Sequence, residues 1–175
     1  MLKWLAADLD KANEYRAERP WVVVAGHRPP YCSNVDHDCM SPYSAGETVR
    51  AALEDLFMSK GVDIGFFAHE HSYERTWPVY NLTTAQFDYI DPRAPLYVIS
   101  GAAGCNEWGG LCNNAIAKPL GDWSAYRTTG IKSPYSYGHL RPVNVTHLFF
   151  DQIDGPTGEI FDEVWVVQNS HGPFL

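Results

Sequence analysis

Three features predict an α/β domain with layered strands and helices. Residues 21–26 (Trp-Val-Val-Val-Ala-Gly) and 62–68 (Val-Asp-Ile-Gly-Phe-Phe-Ala) are short apolar runs rich in β-branched and aromatic residues, too short for helices. Between them, residues 47–60 carry Val49, Leu53, Leu56 and Phe57 at helical spacing and stop at Gly61. Strand, loop, helix and strand in that order are what a helix-covered sheet produces. The first run is expected to be buried on both faces and the second to be another core strand.

The remaining elements follow in chain order. Leu2, Leu5, Ala6, Leu9 and Ala12 make an amphipathic stripe, so residues 2–18 are expected to be a helix ended by Pro20. A polar loop is expected from His27 to about Gly46. In the second half, residues 78–82, 95–100, 138–151 and 159–168 look like strands. The last two are suited to an antiparallel hairpin, because Val145, His147, Phe149 and then Val164 and Val166 alternate with other residues. Residues 101–137 read as a long loop region. No internal repeat or linker interrupts the chain.

Composition narrows the function classes. At 175 residues the chain is one domain by length, long enough to bury roughly two-thirds of its unfolded surface. Hydrophobic residues at 45% and charged residues at 19% exclude wholesale disorder. A net charge of −8 disfavours nucleic-acid backbones and anionic membranes as partners. The 14% aromatic fraction, with 14 Gly and 12 Pro, fits short strands joined by many turns.

The cysteines form two close pairs, Cys32 with Cys39 and Cys105 with Cys112, each in turn-rich sequence. Two local disulfides are the favoured reading; zinc is the rival, although neither pair has the C-x2-C spacing. The sequons at Asn81 (Asn-Leu-Thr) and Asn144 (Asn-Val-Thr) are candidate glycosylation sites. Together these features suit a secreted or lumenal protein. The N-terminus holds an amphipathic stripe in place of a signal peptide, and no apolar run reaches transmembrane length. Lumenal features without an entry signal suggest a piece of something longer.

Chemistry is expected where strands end. His27 follows the first core strand, and His69 and His71 follow the second. Loops at the carboxyl ends of strands in α/β sheets are where ligands bind. Imidazoles from two neighbouring strand ends could converge on one cation, a geometry that suits zinc, iron, copper or manganese. A lone histidine at a loop start is ordinarily a hydrogen-bonded surface residue; the coincidence of both segments is the signal. His139, His147 and His171 carry no such signal, and His171 is expected in a mobile tail. Tyr73, Glu74 and Arg75 are expected to order the loop through an ion pair.

Two long segments carry a family resemblance. Residues 21–34, Trp-Val-Val-Val-Ala-Gly-His-Arg-Pro-Pro-Tyr-Cys-Ser-Asn, resemble the V-x-x-H block of purple acid phosphatases. Residues 68–81, Ala-His-Glu-His-Ser-Tyr-Glu-Arg-Thr-Trp-Pro-Val-Tyr-Asn, resemble their G-H-x-H block with its Y-E-R extension. Ile99-Ser-Gly-Ala-Ala-Gly104 and the closing hairpin are also similar, so the resemblance runs over essentially the whole chain. It implies a calcineurin-like metallophosphatase fold, a β-sandwich flanked by helices, of which this chain would be the C-terminal half. It also implies an acid phosphatase that hydrolyses small phosphate monoesters with a metal-activated water at a dinuclear centre of Fe(III) and divalent Zn, Fe or Mn. By motif position, His27 and His69 would ligate the divalent metal and His71 the ferric ion. His37 would be the substrate-facing catalytic histidine.

The sequence departs from the family pattern in two ways. Ala68 stands where the motif has glycine. The motifs G-D-x-G, G-D-x-x-Y and G-N-H-[DE], which supply the bridging carboxylate and other ligands, are not found in residues 1–175. Three histidines without a bridging carboxylate cannot hold two cations close together, so about half an active site is expected. An open sheet edge at residues 21–26 would then favour self-association. The alternative is a non-catalytic fragment or single-metal binding protein on the same scaffold. A cupin is rejected: Glu74 falls too soon after His71, and Pro156-Thr157-Gly158 is not followed by the required histidine.

Overall fold

The computed structural model describes residues 1–35, 37–40, 45–104, 122–128 and 135–174. In chain order the elements are α1 (Leu2–Glu14), β1 (Val23–Ala25), α2 (His37–Met40), α3 (Ala45–Lys60), β2 (Ile64–Phe67), β3 (Tyr73–Thr76), β4 (Val79–Tyr80), β5 (Thr83–Thr84), β6 (Leu96–Ser100), β7 (Ser124–Arg127), β8 (Ser136–Pro142), β9 (His147–Asp154) and β10 (Ile160–Val167). Cys105 and Cys112 lie outside the described residues.

Among the described residues, five strands form one sheet in the order β1-β2-β6-β3-β7, and three form a second in the order β10-β9-β8. β1, β2 and β6 run parallel, while β3 returns antiparallel between β6 and β7. The sheets face each other across a core in which Ile64, Tyr73, Leu96 and Val98 of the first meet Leu148, Phe150, Val164 and Val166 of the second. On the other face of the five-stranded sheet, Leu9 of α1 and Phe57 of α3 pack with Val22, Phe67 and Tyr97. The result is helices, sheet, sheet: the expected helix-flanked β-sandwich.

Local chemistry explains where elements depart from expectation. α1 ends at Glu14, four residues early, because Arg16 turns inward. Its guanidinium donates to the buried Asp63 carboxylate at 2.9 Å and to the carbonyl of Pro20 at 2.6 Å. Among the described residues β1 is an edge strand, in line with the open edge expected at residues 21–26, and Val23 and Ala25 are exposed where burial on both faces was expected. Only its inner edge is paired among the described residues, and a groove of about 520 Å³ opens beside it, lined by Trp4, Tyr15, Trp21 and Val23. α2 interrupts the loop expected over residues 27–46, and β7 interrupts that expected over 101–137.

The strand expected over 138–151 is two. Asn144 breaks it: its side-chain oxygen accepts from the amides of Thr146 (2.9 Å) and His147 (2.8 Å), closing a turn. β9 and β10 pair antiparallel as expected, with Phe150 opposite Val164 and Leu148 opposite Val166. β3 lies where a charged loop was expected, and all four of its residues are buried. The tail is anchored: His171 Nε2 donates to the Val145 carbonyl at 2.7 Å, and its ring packs edge-on against Trp21.

Candidate metal centre

The parallel strands β1 and β2 bring their carboxyl ends side by side. Gly26 N donates to the Phe66 carbonyl at 2.9 Å, and Ala68 N to the His27 carbonyl at 3.1 Å. Gly26 is required by close approach, since a Cβ there would sit 2.7 Å from the Phe67 ring. His27 and His69 therefore leave neighbouring strands at the same level of the sheet. The segment after β2 turns sharply, with Glu70 N donating back to the Ala68 carbonyl at 2.7 Å. The left-handed residue is His69, at φ 60°, and Ala68 keeps a negative φ, so its methyl group is accommodated. A bulky side chain in that region marks backbone strain at a site.

Gly101, just past β6, backs this turn. A Cβ at Gly101 would lie 1.9 Å from the Glu70 carbonyl oxygen, and Gly101 N donates to the Ser72 carbonyl at 3.1 Å. The peptide carrying Glu70 is thus pressed onto bare backbone.

The imidazoles of His27 and His69 meet edge-to-face. His27 Nε2 and His69 Nδ1 are 3.0 Å apart. Two nitrogens bound to one zinc-like ion at about 2.0–2.1 Å would be separated by roughly 2.9–3.4 Å, from octahedral to tetrahedral angles. The donor pair fits a shared cation. The other nitrogen of His69, Nε2, lies 2.5 Å from Asp38 Oδ2, which also receives Arg28 Nη1 at 2.6 Å. These bonds, led by that from His69, hold the Asp38 carboxyl below its usual pKa. Asp38, His69 and Glu70 each offer a ligand atom, all within 4.8 Å of one another. His71 is half-buried beside this turn and joins no such three-residue group among the described residues. His37 begins α2, but its side chain lies outside the described residues.

A buried polar network underlies the turn. The Glu74 carboxylate of β3 accepts from Ser33 N (3.0 Å), Ser33 Oγ (2.6 Å) and Arg127 Nη1 of β7 (3.1 Å). Arg127 also donates to the side-chain oxygen of Asn34, whose amide donates to Glu70. Glu74 is thus held by the loop that follows His27 and by a neighbouring strand; where an ion pair ordering a loop was expected, Glu74 and Arg75 lie on a buried strand and pair with the distant Arg127 and Asp162. Cys32 and Cys39 are joined in a disulfide with a Cα separation of 5.3 Å, which removes zinc as their role. Asp38, Asn34, Glu70 and Arg127 are the residues that motif reading missed. The acidic Asp-His-Asp run at 36–38 is the only hint the sequence gives of Asp38.

The comparisons with known proteins agree with this architecture. Residues 2–73 match the calcineurin-like phosphoesterase family, and residues 94–163 match the iron/zinc purple acid phosphatase-like protein C family. The chain is 42% identical to acid phosphatase type 7 of Danio rerio over 98% of its own length and 40% of that protein's. It is 34% identical to Fe(3+)-Zn(2+) purple acid phosphatase 12 of Arabidopsis thaliana, over 94% of this chain and 34% of that one. The structure of a purple acid phosphatase from yellow lupin seeds superposes with a TM-score of 0.76 at 21% identity, over 95% of this chain and 28% of that one, which bears on the fold alone. The chain thus spans about two-fifths or less of the relatives it matches. With both families matched in order and this level of identity, the chain belongs to the purple acid phosphatase family of calcineurin-like phosphoesterases.

Proposed function

We propose that this chain is the C-terminal part of the catalytic domain of a metal-dependent acid phosphatase that hydrolyses small phosphate monoesters. The observation that carries the reading is the 3.0 Å approach of His27 Nε2 to His69 Nδ1 at the ends of parallel strands. In this reading His27 and His69 hold the divalent metal (Zn, Fe or Mn), His71 serves Fe(III), and His37 faces the substrate. When bound, the metal pair supplies charge to neutralise the phosphate and to activate the attacking water. The chain's own residues do the rest. The strand ends fix the imidazoles, and the Glu74 network ties the loop after His27 to β3 and β7, the sheet beneath the turn. The Cys32–Cys39 disulfide closes the loop bearing His37.

The disulfide and the sequons at Asn81 and Asn144 support a secreted or lumenal location with glycosylation at those sites. Asn81 lies at the β4–β5 turn, with φ 48°, and Asn144 is exposed. No described helix is long and apolar enough to cross a membrane. Self-association through the free edge of β1 is part of the same proposal.

The test is turnover of p-nitrophenyl phosphate with iron and zinc, at acid pH, by the 175-residue chain and by a longer chain that also carries the three missing motifs. Activity is expected from the longer chain and little or none from the shorter. Robust turnover by the 175 residues alone would overturn the half-site reading; an inactive longer chain would overturn the phosphatase reading.

A further inference from the structure

Asp38 belongs to neither histidine segment, yet its carboxylate meets the ring of His69. A carboxylate only accepts hydrogen bonds, so a neutral His69 in contact with Asp38 Oδ2 carries its ring proton on Nε2. Nδ1, the nitrogen facing His27, then accepts from His27 Nε2 across the 3.0 Å contact; a shared cation takes the place of that bridging proton, with neutral His27 carrying its proton on Nδ1 in the bound form. We infer that Asp38 is a positioning residue that fixes the tautomer and ring plane of His69, so that Nδ1 is presented to a cation shared with His27. The inference rests on the reading of these two histidines as a metal-binding pair.

The surroundings of Asp38 suit this role. α2 is four residues long and would not hold a side chain still by itself. It is pinned by the disulfide from Cys39, the residue after Asp38, to Cys32. Arg28, the residue after His27, grips the same carboxylate oxygen at 2.6 Å. One oxygen therefore links the segment bearing His27 to the ring of His69. Carboxylates behind a ligating histidine orient the ring in this way, and their removal weakens metal binding about 10- to 100-fold.

The test uses the full chain, long-range proton–nitrogen spectra of the imidazoles, and zinc chloride as the probe. Wild-type His69 is expected in the Nε2–H form. Asp38→Ala is expected to give a mixture of tautomers and to weaken zinc binding about 10- to 100-fold by calorimetry. Asp38→Asn, whose side-chain oxygen still accepts, is expected to restore the Nε2–H form, a split that a merely structural role would not produce. The Nδ1–H form in wild type, or an undisturbed Nε2–H form in Asp38→Ala, overturns the inference; the wild-type spectrum needs no variant to decide. If the tautomers respond as expected while no form binds zinc, Asp38 keeps its role and the metal-binding reading fails.

Discussion

Two clusters of charged and ring-bearing side chains lie within seven residues of one another along the chain, at His69 and at Arg75. Around Arg75, a bidentate pair with Asp162 spans the two sheets (Nε to Oδ2 2.8 Å, Nη2 to Oδ1 2.7 Å), and the Tyr73 hydroxyl donates to the same carboxylate at 2.5 Å. Tyr89 lies against the guanidinium and donates its hydroxyl proton to the Thr76 carbonyl at 3.0 Å. Every member is buried, and burial raises the pKa of both tyrosines. Around His69, the same classes of group meet at the sheet's carboxyl edge, with His27 exposed and His69 and Asp38 half-buried. The first cluster closes upon itself and can only hold the sandwich together. The second leaves two nitrogens facing each other near solvent, where a cation can enter. Residue type does not separate the two clusters; closure does.

The comparison can be broken most forcefully at Asp162. Asp162→Ala leaves the Arg75 guanidinium buried without its counter-ion, and a loss of about 3–5 kcal/mol is expected in urea unfolding. A loss under about 1 kcal/mol would mean that the inter-sheet cluster is wetter than its burial indicates. Glu74 sits between the two regions in sequence and in role. Glu74→Gln keeps an acceptor but removes the charge that pairs with Arg127, so a stability loss of about 1–3 kcal/mol is expected. Zinc affinity should fall as well, since the loop after His27 loses its anchor; unchanged affinity would uncouple the network from the site. The smallest effect sharpens the comparison most. At the left-handed φ of His69, glycine is unstrained and alanine is not, so His69→Gly should be about 1 kcal/mol more stable than His69→Ala. Both should lose zinc binding, and equal stabilities would deny that the site stores backbone strain.

Much of the frame was legible before folding, and the reasons for the exceptions are physical. β2, α3 and β6 follow from apolar runs and helical spacing, because burial against a core is written in residue type. β1 shares that composition and lies at an edge among the described residues, where the open edge was expected; its exposure departs from the apolar run because such a run reports a preference for burial and not which strands are adjacent. β3 was hidden because Glu74 and Arg75 look solvated in sequence; their burial depends on Arg127 and Asp162, partners 53 and 87 residues away. The break between β8 and β9 was hidden because Val143 and Val145 continue an apolar pattern through a turn that the Asn144 side chain makes. At the candidate site, His27 and His69 were singled out by their place after strands, and the structure brings their rings together. Asp38 was not, because a disulfide and an arginine, rather than any periodicity, put it beside His69.

The bare α-carbon of Gly101 leaves this family member open to a lesion that no side chain announces. It contributes no polar side chain and would escape any survey of chemistry-bearing residues. Yet one methyl group there cannot fit beneath the Glu70 peptide, and the displacement would pass straight into the turn that carries His69. Gly101→Ala should therefore give a folded protein that keeps His27, His69 and Asp38 but loses the zinc affinity proposed for them. A catalogue of damaging substitutions in such chains would have to include the bare backbone beside the turn as well as the side chains the turn carries.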